Sequence, residues 1–390
     1  RPWAPGPVAY GSVTDSNTHP PQGASYAAAG VDIEAGDRAV ELFKPHAKRA
    51  TRPEVLGGLG GFAGLFDASV LGGMTHPILA TSTDGVGTKV AIAQALDKHD
   101  TIGHDLVGMV VDDIVVCGAE PLFMTDYIAT GSVVPERIAA IVSGIADACA
   151  RAGVALVGGE TAEHPGLLGP SEYDVAGAAT GVVEHEHVIG PHLVAPGDVV
   201  LGLASSGLHS NGYSLVRRVV DAAGWALEDE LDDLPGTLGE ALLTPTRIYA
   251  RPLLTLIERL RGDGPAAAGV HALSHVTGGG LAANLARVLP TGTLATVDRA
   301  TWTPPRIFTL VGAAGGVPRE DLERTLNMGV GFVAVLPADH ADTAREVLGA
   351  EGIDAWVLGE VTAGEATGGD VVEGAKGVDG GAVQVVGEHP

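Results

Sequence analysis

Three acidic residues lie where predicted elements end or among apolar neighbours. Asp84 follows a short apolar run and begins a glycine turn, Asp113 lies on a mostly apolar predicted helix, and Glu160 follows a predicted strand and a Gly-Gly pair. A carboxylate in apolar surroundings is costly unless it is paired or binds a metal ion. Oxygen ligands without cysteine or histidine favour Mg²⁺, which completes its shell with substrate phosphates. Capping or a salt bridge could explain any one of these acids and is favoured for Asp112, but together they predict a magnesium–nucleotide site.

Residues 57–64, GGLGGFAG, could bind an anion through their backbone. Five of these eight residues are glycine, which lacks a β-carbon and lets consecutive N–H groups approach a phosphate. Four basic residues precede the segment and would attract an anion: Lys44, Lys48, Arg49 and Arg52. A surface turn without a ligand is the alternative. We interpret the segment as a phosphate-binding loop whose candidate residues are Gly57, Gly58, Gly60 and Gly61.

A third candidate is His209-Ser210-Asn211, at a predicted strand-to-helix junction. The start of a helix offers free N–H groups and the positive end of its dipole. Histidine titrates near neutral pH, so His209 could transfer a proton or stabilise a phosphate. Asn211 could cap the helix, which would be a structural role.

Other common ligand-binding motifs are absent or weak. The sequence has no Gly-Lys pair and so no P-loop, and its three Gly-x-Gly-x-x-Ala matches lack the context of a dinucleotide fold. With only Cys117 and Cys149, a disulfide framework is excluded, and we expect reduced thiols in a cytoplasmic protein. A formal net charge of −25 disfavours nucleic-acid binding. We also expect no membrane span and no targeting segment.

The elements that must position these residues alternate between helix and strand. The clearest helix covers Pro135–Ala152, where Pro135 suits the first turn, apolar residues recur at helical spacing and Gly153 ends the pattern. Strands are predicted at residues 78–82, 122–129, 154–157, 198–204 and 332–336, and further helices at residues 88–96, 101–117 and 281–289. This alternation predicts an α/β or α+β fold.

The chain divides into two such blocks and two flanking segments, as its length of 390 residues suggests. We predict a flexible N-terminal arm over residues 1–23, an N-terminal domain over residues 24–190 and a C-terminal domain over residues 197–363. Residues 364–390 are rich in glycine and valine and are predicted to form a flexible tail.

Ordered motifs over about residues 25–362 resemble one enzyme family. They include RPEVLGGLGGFAG at 52–64, DGVGTK at 84–89, GGETAEHPG at 158–166, SSGLHSNGYSL at 205–215, TGGG at 277–280 and NMGVG at 327–331. In this order and spacing they resemble the phosphoribosylformylglycinamidine cyclo-ligases, also called aminoimidazole ribonucleotide synthetases. The resemblance implies a two-domain architecture in which the N-terminal α/β domain forms a homodimer, with the ATP site close to the dimer interface.

The resemblance also implies a reaction of purine biosynthesis in the cytoplasm. Family members close the imidazole ring of formylglycinamidine ribonucleotide, a small-molecule substrate, using ATP and Mg²⁺. The products are aminoimidazole ribonucleotide, ADP and phosphate. ATP is expected to phosphorylate the formyl oxygen, after which a nitrogen attacks that carbon and phosphate leaves. Mg²⁺ and basic groups would stabilise the developing charge.

Carried over by position, the resemblance implies roles for individual residues. Lys44 is similar to the family's lysine near the ATP site, Asp113 to an acid that handles ATP and metal, and Glu160 to the acid of a Gly-Gly-Glu-Thr loop. The implied nucleotide and metal loop comprises Asp84, Gly85, Gly87, Thr88 and Lys89. His209 and Asn211 resemble the family's His-Ser-Asn pair, and His209 is the expected polar catalyst.

Two residues depart from the family pattern. His164 stands where methionine is more common, and Asp112 stands where asparagine is expected. Two adjacent carboxylates, Asp112 and Asp113, could raise the pKa of one of them. Neither departure removes a proposed catalytic group.

Two other functions stay open at this point. One is another ATP-using member of the same superfamily, of the thiamine-monophosphate kinase or selenophosphate synthetase type. Selenophosphate synthesis calls for a reactive cysteine in an early loop, whereas the first cysteine here, Cys117, lies in a predicted helix. The other is a nucleotide-binding scaffold without catalytic turnover.

Overall fold

The computed structural model of the chain describes residues 32–58, 61–364 and 370–390. The predicted arm over residues 1–23 and Gly60 of the predicted phosphate loop lie outside these residues. Across the described residues, no helix is long and apolar enough to cross a membrane.

The N-terminal part of the described chain builds a four-stranded sheet with helices on one face. Its elements are α1 (Ile33–Ala47), β1 (Val55–Leu56), β2 (Leu65–Phe66), β3 (Pro77–Gly85), α2 (Val90–Ala95), α3 (Ile102–Val115), β4 (Glu120–Thr130), α4 (Pro135–Ala152), β5 (Ala155–Glu163) and β6 (Tyr173–Glu184). The strands lie in the order β3-β6-β4-β5. All pairs are antiparallel except β4 with β5. Helix α3 packs against β3 and β6, and α4 packs against α3 and α1.

Helix α4 follows from its local sequence. Pro135 occupies the first turn, where its missing N–H costs nothing. Ile138 and Ile145, on one stripe of the helix, are fully buried. Gly153 ends the helix with a φ of 77°, a left-handed conformation that glycine adopts without strain. The predicted helix is confirmed at both ends.

The C-terminal part builds a seven-stranded sheet. Its elements are β7 (Asp198–Ala204), α5 (Tyr213–Ala223), α6 (Leu238–Leu242), α7 (Ala250–Arg261), β8 (Ala272–His275), α8 (Gly280–Ala286), β9 (Thr293–Asp298), α9 (Arg306–Gly315), α10 (Arg319–Thr325), β10 (Val330–Pro337), α11 (Ala341–Ala350), β11 (Ala355–Ala363), β12 (Val371–Ala375) and β13 (Val378–Val386). The strand order is β12-β13-β9-β11-β7-β10-β8. Strand β10 is apolar and buried along most of its length, as a strand covered on both faces requires. Mixed helices and strands, in these two sheets and the small two-stranded sheet of β1 and β2, confirm the predicted α/β (α+β) fold class.

The structure corrects the prediction of a flexible tail over residues 364–390. Residues 371–386 instead form β12 and β13, and β13 pairs in parallel with β9. The guanidinium of Arg299 stabilises this addition, since it binds both carboxylate oxygens of Glu323 at 2.7 Å and donates to the carbonyl of Val385 at 3.1 Å. The valines that suggested disorder instead alternate along strands and reach the core through Val383.

Asp112 has the structural role that the sequence favoured. Its side chain is fully buried, and both carboxylate oxygens accept the backbone N–H of Tyr249 at 3.1 Å, immediately before α7. Burial is the largest influence that raises the pKa of Asp112, and the charge of the adjacent Asp113 is a smaller one. The carboxylate therefore connects α3 to the start of α7, a helix of the C-terminal part.

Replacing Asp112 with asparagine should flatten the pH dependence of stability. Burial raises the pKa of Asp112 from 3.8 to about 7. A folded-state pKa above the unfolded value favours the protonated form, so this stabilisation is present at low pH and is lost as the pH rises towards 7. As the pH rises from about 5 to about 8, the free energy of unfolding should fall in both proteins, but by about 2 kcal/mol less in the D112N variant than in the wild type. Urea unfolding at both pH values measures this difference, and parallel pH profiles would contradict it.

Candidate functional site

The side chains of Asp84 and Asp113, here called the carboxylate pair, lie close together where the two sheets meet. Asp84 lies near the end of β3, and Asp113 extends from α3 with 43% of its side chain exposed. The Nδ1 atom of His275, at the end of β8, lies 2.8 Å from Oδ1 of Asp113. The imidazole of His275 also stacks on Phe332 of β10. His275, from the C-terminal part, therefore orients the carboxylate of Asp113, which belongs to α3 of the N-terminal part.

The electrostatics of Asp84 indicate a site suited to a cation. Its pKa is raised, first by loss of hydration and further by the charge of Asp113. The N–H of Gly85, which donates to Oδ1 of Asp84 at 2.7 Å, and the nearby His275 and Lys376 act in the opposite direction. Repulsion between two carboxylates is relieved when a cation binds between them.

Glu160 does not join the carboxylate pair within one chain. The register aligns Glu160 with Tyr127, Tyr127 with Ala176 and Ala176 with Gly85, so Glu160 lies three strands away from the end of β3. Three strand spacings of about 4.8 Å amount to about 14 Å. Glu160 also shares the face of exposed Tyr127, whereas Asp84 lies on the alternate face. The predicted three-acid metal site is therefore not assembled in a single chain, and in the described part no group of three or more His, Cys, Asp or Glu side chains could hold a metal ion.

The predicted phosphate loop lies beside β5, the strand that carries Glu160. It connects β1 to β2, and Gly57, Gly58 and Gly61 are exposed. At its end, a β-carbon on Gly64 would meet the carbonyl oxygen of Val157 at 2.7 Å, which leaves room only for glycine. The loop is therefore separated from Asp84 by the width of the sheet.

The basic residues before this loop are partly occupied by protein partners. Lys44, 41% exposed on α1, pairs with Glu41. Arg52 binds Glu54 at 3.2 Å and Glu120 at 2.9 Å, so it does not point freely into the loop. Lys44 remains a candidate, although its ion-pair partner among the described residues is Glu41 and not the carboxylate pair.

Lys89 has a structural position, contrary to its predicted place in a nucleotide loop. Its side chain is fully buried. Its ammonium group donates to Asp105 at 2.7 Å and to the carbonyls of His209 at 2.9 Å and Thr244 at 2.7 Å. All three donors are thereby used. Burial lowers the pKa of Lys89, and the Asp105 carboxylate opposes that shift.

The remaining residues of the predicted nucleotide loop pack against the second sheet's helices and loops. Ser210 donates to the carbonyl of Val86 at 2.6 Å, and the hydroxyls of Thr88 and Ser214 lie 3.3 Å apart. Gly85 and Gly87 provide the turn, and Gly87 has a φ of 70°. Asn211 accepts the N–H of Gly278 at 3.0 Å through its side-chain oxygen, so it holds the glycine turn that precedes α8.

His209 is buried and neutral, which corrects the expectation that it titrates near neutral pH. Only 1% of the residue is exposed, and burial, followed by the charges of His275 and Lys89, lowers its pKa well below the usual range. Its Nε2 accepts the N–H of Ser206 at 3.2 Å, while its buried Nδ1 has no hydrogen-bond partner within the described part of the chain. The backbone φ of His209 is 58°. A positive φ is uncommon for residues other than glycine, and such residues are enriched at functional sites.

Two residues near the carboxylate pair, His275 and Asp126, were not predicted from the sequence. His275 stands between an apolar strand and the motif TGGG, and this position at the end of a strand was the available signal. Asp126 is a lone acid in the apolar strand β4, where burial raises its pKa to about 7. The register aligns it with Gly177 and Gly177 with Asp84, so the two acids share one face of the sheet about 10 Å apart.

Comparisons with known families cover most of the chain. The family described as "AIR synthase related protein, N-terminal domain" matches residues 65–183. The family described as "AIR synthase related protein, C-terminal domain" matches residues 195–372.

Individual proteins extend this relationship. The chain is 53% identical over 347 residues to a phosphoribosylformylglycinamidine cyclo-ligase of Anaeromyxobacter sp. (strain Fw109-5), covering 88% of this chain and 98% of that protein. It is 50% identical over 344 residues to the same-named protein of Shouchella clausii, covering 88% and 97%. Among solved structures, the thiamine-monophosphate kinase of Stenotrophomonas maltophilia is 18% identical with a TM-score of 0.58, covering 92% of this chain and 96% of that one. The hydrogenase maturation protein HypE in complex with ATP is 21% identical with a TM-score of 0.58, covering 84% and 86%.

The two structural matches are too distant in sequence to indicate more than a shared fold. The curated relatives are closer, and they match over nearly their whole length. The chain therefore belongs to the phosphoribosylformylglycinamidine cyclo-ligase family and is a ligase of purine biosynthesis that forms a carbon–nitrogen bond.

Proposed function

We propose that this chain, as a cytoplasmic enzyme, closes the imidazole ring of formylglycinamidine ribonucleotide at the expense of ATP and releases aminoimidazole ribonucleotide, ADP and phosphate. The observation that carries the proposal is the carboxylate pair, which the 2.8 Å contact between Asp113 and His275 holds where the two sheets meet. The ATP complex of HypE, a protein of the same fold, supports a nucleotide site in this architecture.

The carboxylate pair fits a divalent cation of the Mg²⁺ type. Asp84 and Asp113 offer oxygen ligands, and the charge of Asp113 contributes to the raised pKa of Asp84. Substrate phosphates and water would complete the coordination shell. When bound, the ion would neutralise phosphate charge during transfer to the formyl oxygen.

Residues of the second sheet would orient the substrate. His275 fixes the carboxylate of Asp113, and Asn211 fixes the glycine turn at Gly278. His209, predicted to be catalytic, is proposed here in a positioning role. Because its imidazole is neutral and buried and its Nε2 accepts the N–H of Ser206, it would hold the backbone at Ser206 instead of acting as a titrating acid.

We propose a homodimer formed through the face of the four-stranded sheet opposite α3, where the described residues place no helix. Leu79 and Tyr127 point from this face with 62% and 42% exposure, beside the small side chains of Ala176 and Ala178. Exposed apolar side chains of this size favour burial against a second copy. His164, the departure from the family pattern, contacts Tyr127 here at 3.2 Å. In the dimer, Lys44, Glu160 and the loop of Gly57, Gly58, Gly60 and Gly61 would act on the nucleotide of the opposite subunit.

The test is release of phosphate from ATP with formylglycinamidine ribonucleotide and Mg²⁺, measured together with aminoimidazole ribonucleotide. We expect equimolar formation of both products. Absence of substrate-dependent phosphate release at every Mg²⁺ concentration would refute the proposal. ATP consumption with thiamine monophosphate instead would favour the kinase alternative.

A further inference from the structure

The turn between β12 and β13 carries an unexpected lysine. Ala375 pairs with Val378, so the turn consists of Lys376 and Gly377 alone. Both residues have positive φ, 52° and 78°, which is the pattern of a type I′ hairpin turn, where asparagine is preferred before glycine. A lysine in this conformation is uncommon and is stable only where the surroundings hold it. The match to the C-terminal family domain ends at residue 372, before this turn.

The sheet brings this hairpin towards the carboxylate pair. Helix α8 contacts β8 at one edge of the sheet and β12 and β13 at the other, so the sheet curls around α8. The hairpin packs closely on the end of this helix, since a β-carbon on Gly380 would lie 2.1 Å from the carbonyl oxygen of Ala286. His275, the partner of Asp113, ends β8 on the other side of the same helix. The hairpin and the strand that ends at His275 therefore both pack against α8.

The charges around Lys376 are consistent with this placement. Asp84 and Asp113 both favour its charged form, whereas loss of hydration and the neighbouring Arg287 disfavour it and together lower its pKa. Lys376 in turn favours the ionised form of Asp84. Among the described residues Lys376 forms no direct ion pair with Asp84 or Asp113, so its ammonium group remains available to a ligand.

We propose that the β12–β13 hairpin places Lys376 over the carboxylate pair, where its ammonium group binds a phosphate group of a substrate held there. A lysine binds phosphate as a compact point charge and needs no fixed fork geometry. This inference rests on the proposed function. The phosphate has two possible sources, the triphosphate of ATP and the 5′-phosphate of the ribonucleotide.

Steady-state kinetics of the full chain test the inference with the K376N variant. Asparagine suits a type I′ turn, so the hairpin should be retained and the melting temperature should not fall. Loss of one charge-assisted hydrogen bond should raise KM by about 10- to 100-fold for the substrate whose phosphate is bound. An increase for ATP identifies the triphosphate, and an increase for formylglycinamidine ribonucleotide identifies its phosphate. The K376R variant should remain within a few-fold of the wild type.

A matched control is K98M, which removes a lysine charge from an exposed position after α2. It should leave both KM values unchanged. If K376N is folded and active and both KM values and kcat lie within two-fold of the wild type, the inference is wrong. An inactive wild-type protein would refute the proposed function itself, which separates the two failures.

Discussion

Replacing Asp84 with asparagine should lower kcat/KM for ATP-dependent ring closure by a factor of about 10²–10³, because charge stabilisation by a bound metal ion is worth several kcal/mol. Asparagine keeps the shape of the side chain and can still accept the N–H of Gly85, which now donates to Oδ1 of Asp84 at 2.7 Å. The variant loses only the negative charge beside Asp113. Phosphate release and ATP affinity, each measured with and without Mg²⁺, report the effect.

Asp298 provides a matched control for this substitution. It also ends a strand, and its Oδ1 accepts the N–H of Ala300 at 2.9 Å, but it lies at the end of β9. The D298N variant should keep its activity within about two-fold. Unchanged ATP affinity and turnover in D84N would contradict a metal role for Asp84.

The second large effect concerns stability. Replacing Lys89 with methionine should lower the free energy of unfolding by about 3–5 kcal/mol, because it leaves the buried carboxylate of Asp105 without its charged partner. Both side chains are fully buried. The substitution also leaves the carbonyls of His209 and Thr244 without their donor. Urea unfolding measures the loss, and the midpoint should fall accordingly.

A double variant isolates the electrostatic part of this effect. Asparagine at position 105 can still accept the N–H of Thr246, which donates to Asp105 at 3.0 Å, without burying a charge. The K89M/D105N variant should therefore recover part of the stability that K89M loses. A K89M variant as stable as the wild type would show that neither this ion pair nor the bonds from Lys89 to the carbonyls of His209 and Thr244 contribute to stability.

Local signals were enough to predict much of the fold. The ends of α4 depend on Pro135 and Gly153, whose preferences act within one turn of the chain. Strand β5 was predicted to end at residue 157 because glycines follow, yet it continues to Glu163. The continuation depends on pairing with β4, which no local preference reports.

In the candidate site, too, some features follow from local sequence and others only from tertiary contacts. Asp84 and Asp113 were predicted from their contexts, and the structure places them close enough for the charge of Asp113 to contribute to the raised pKa of Asp84. Glu160 had an equally suggestive context, but strand order puts it across the sheet. Lys89 looked like a nucleotide ligand because it ends a glycine turn, and only its packing against α3 reveals its partner Asp105.

By itself, the sequence determined the family, the fold class and the residue types available for phosphate and metal chemistry, because motifs, periodicity and caps act over a few neighbouring residues. The tertiary structure alone decided which of those residues meet. His275 reaches Asp113 across 162 positions, and α8 contacts both β8 and the β12–β13 hairpin, which lie at opposite edges of one sheet. Such contacts depend on strand register and on which faces pack together, and these arise from the burial of apolar surface by the whole chain.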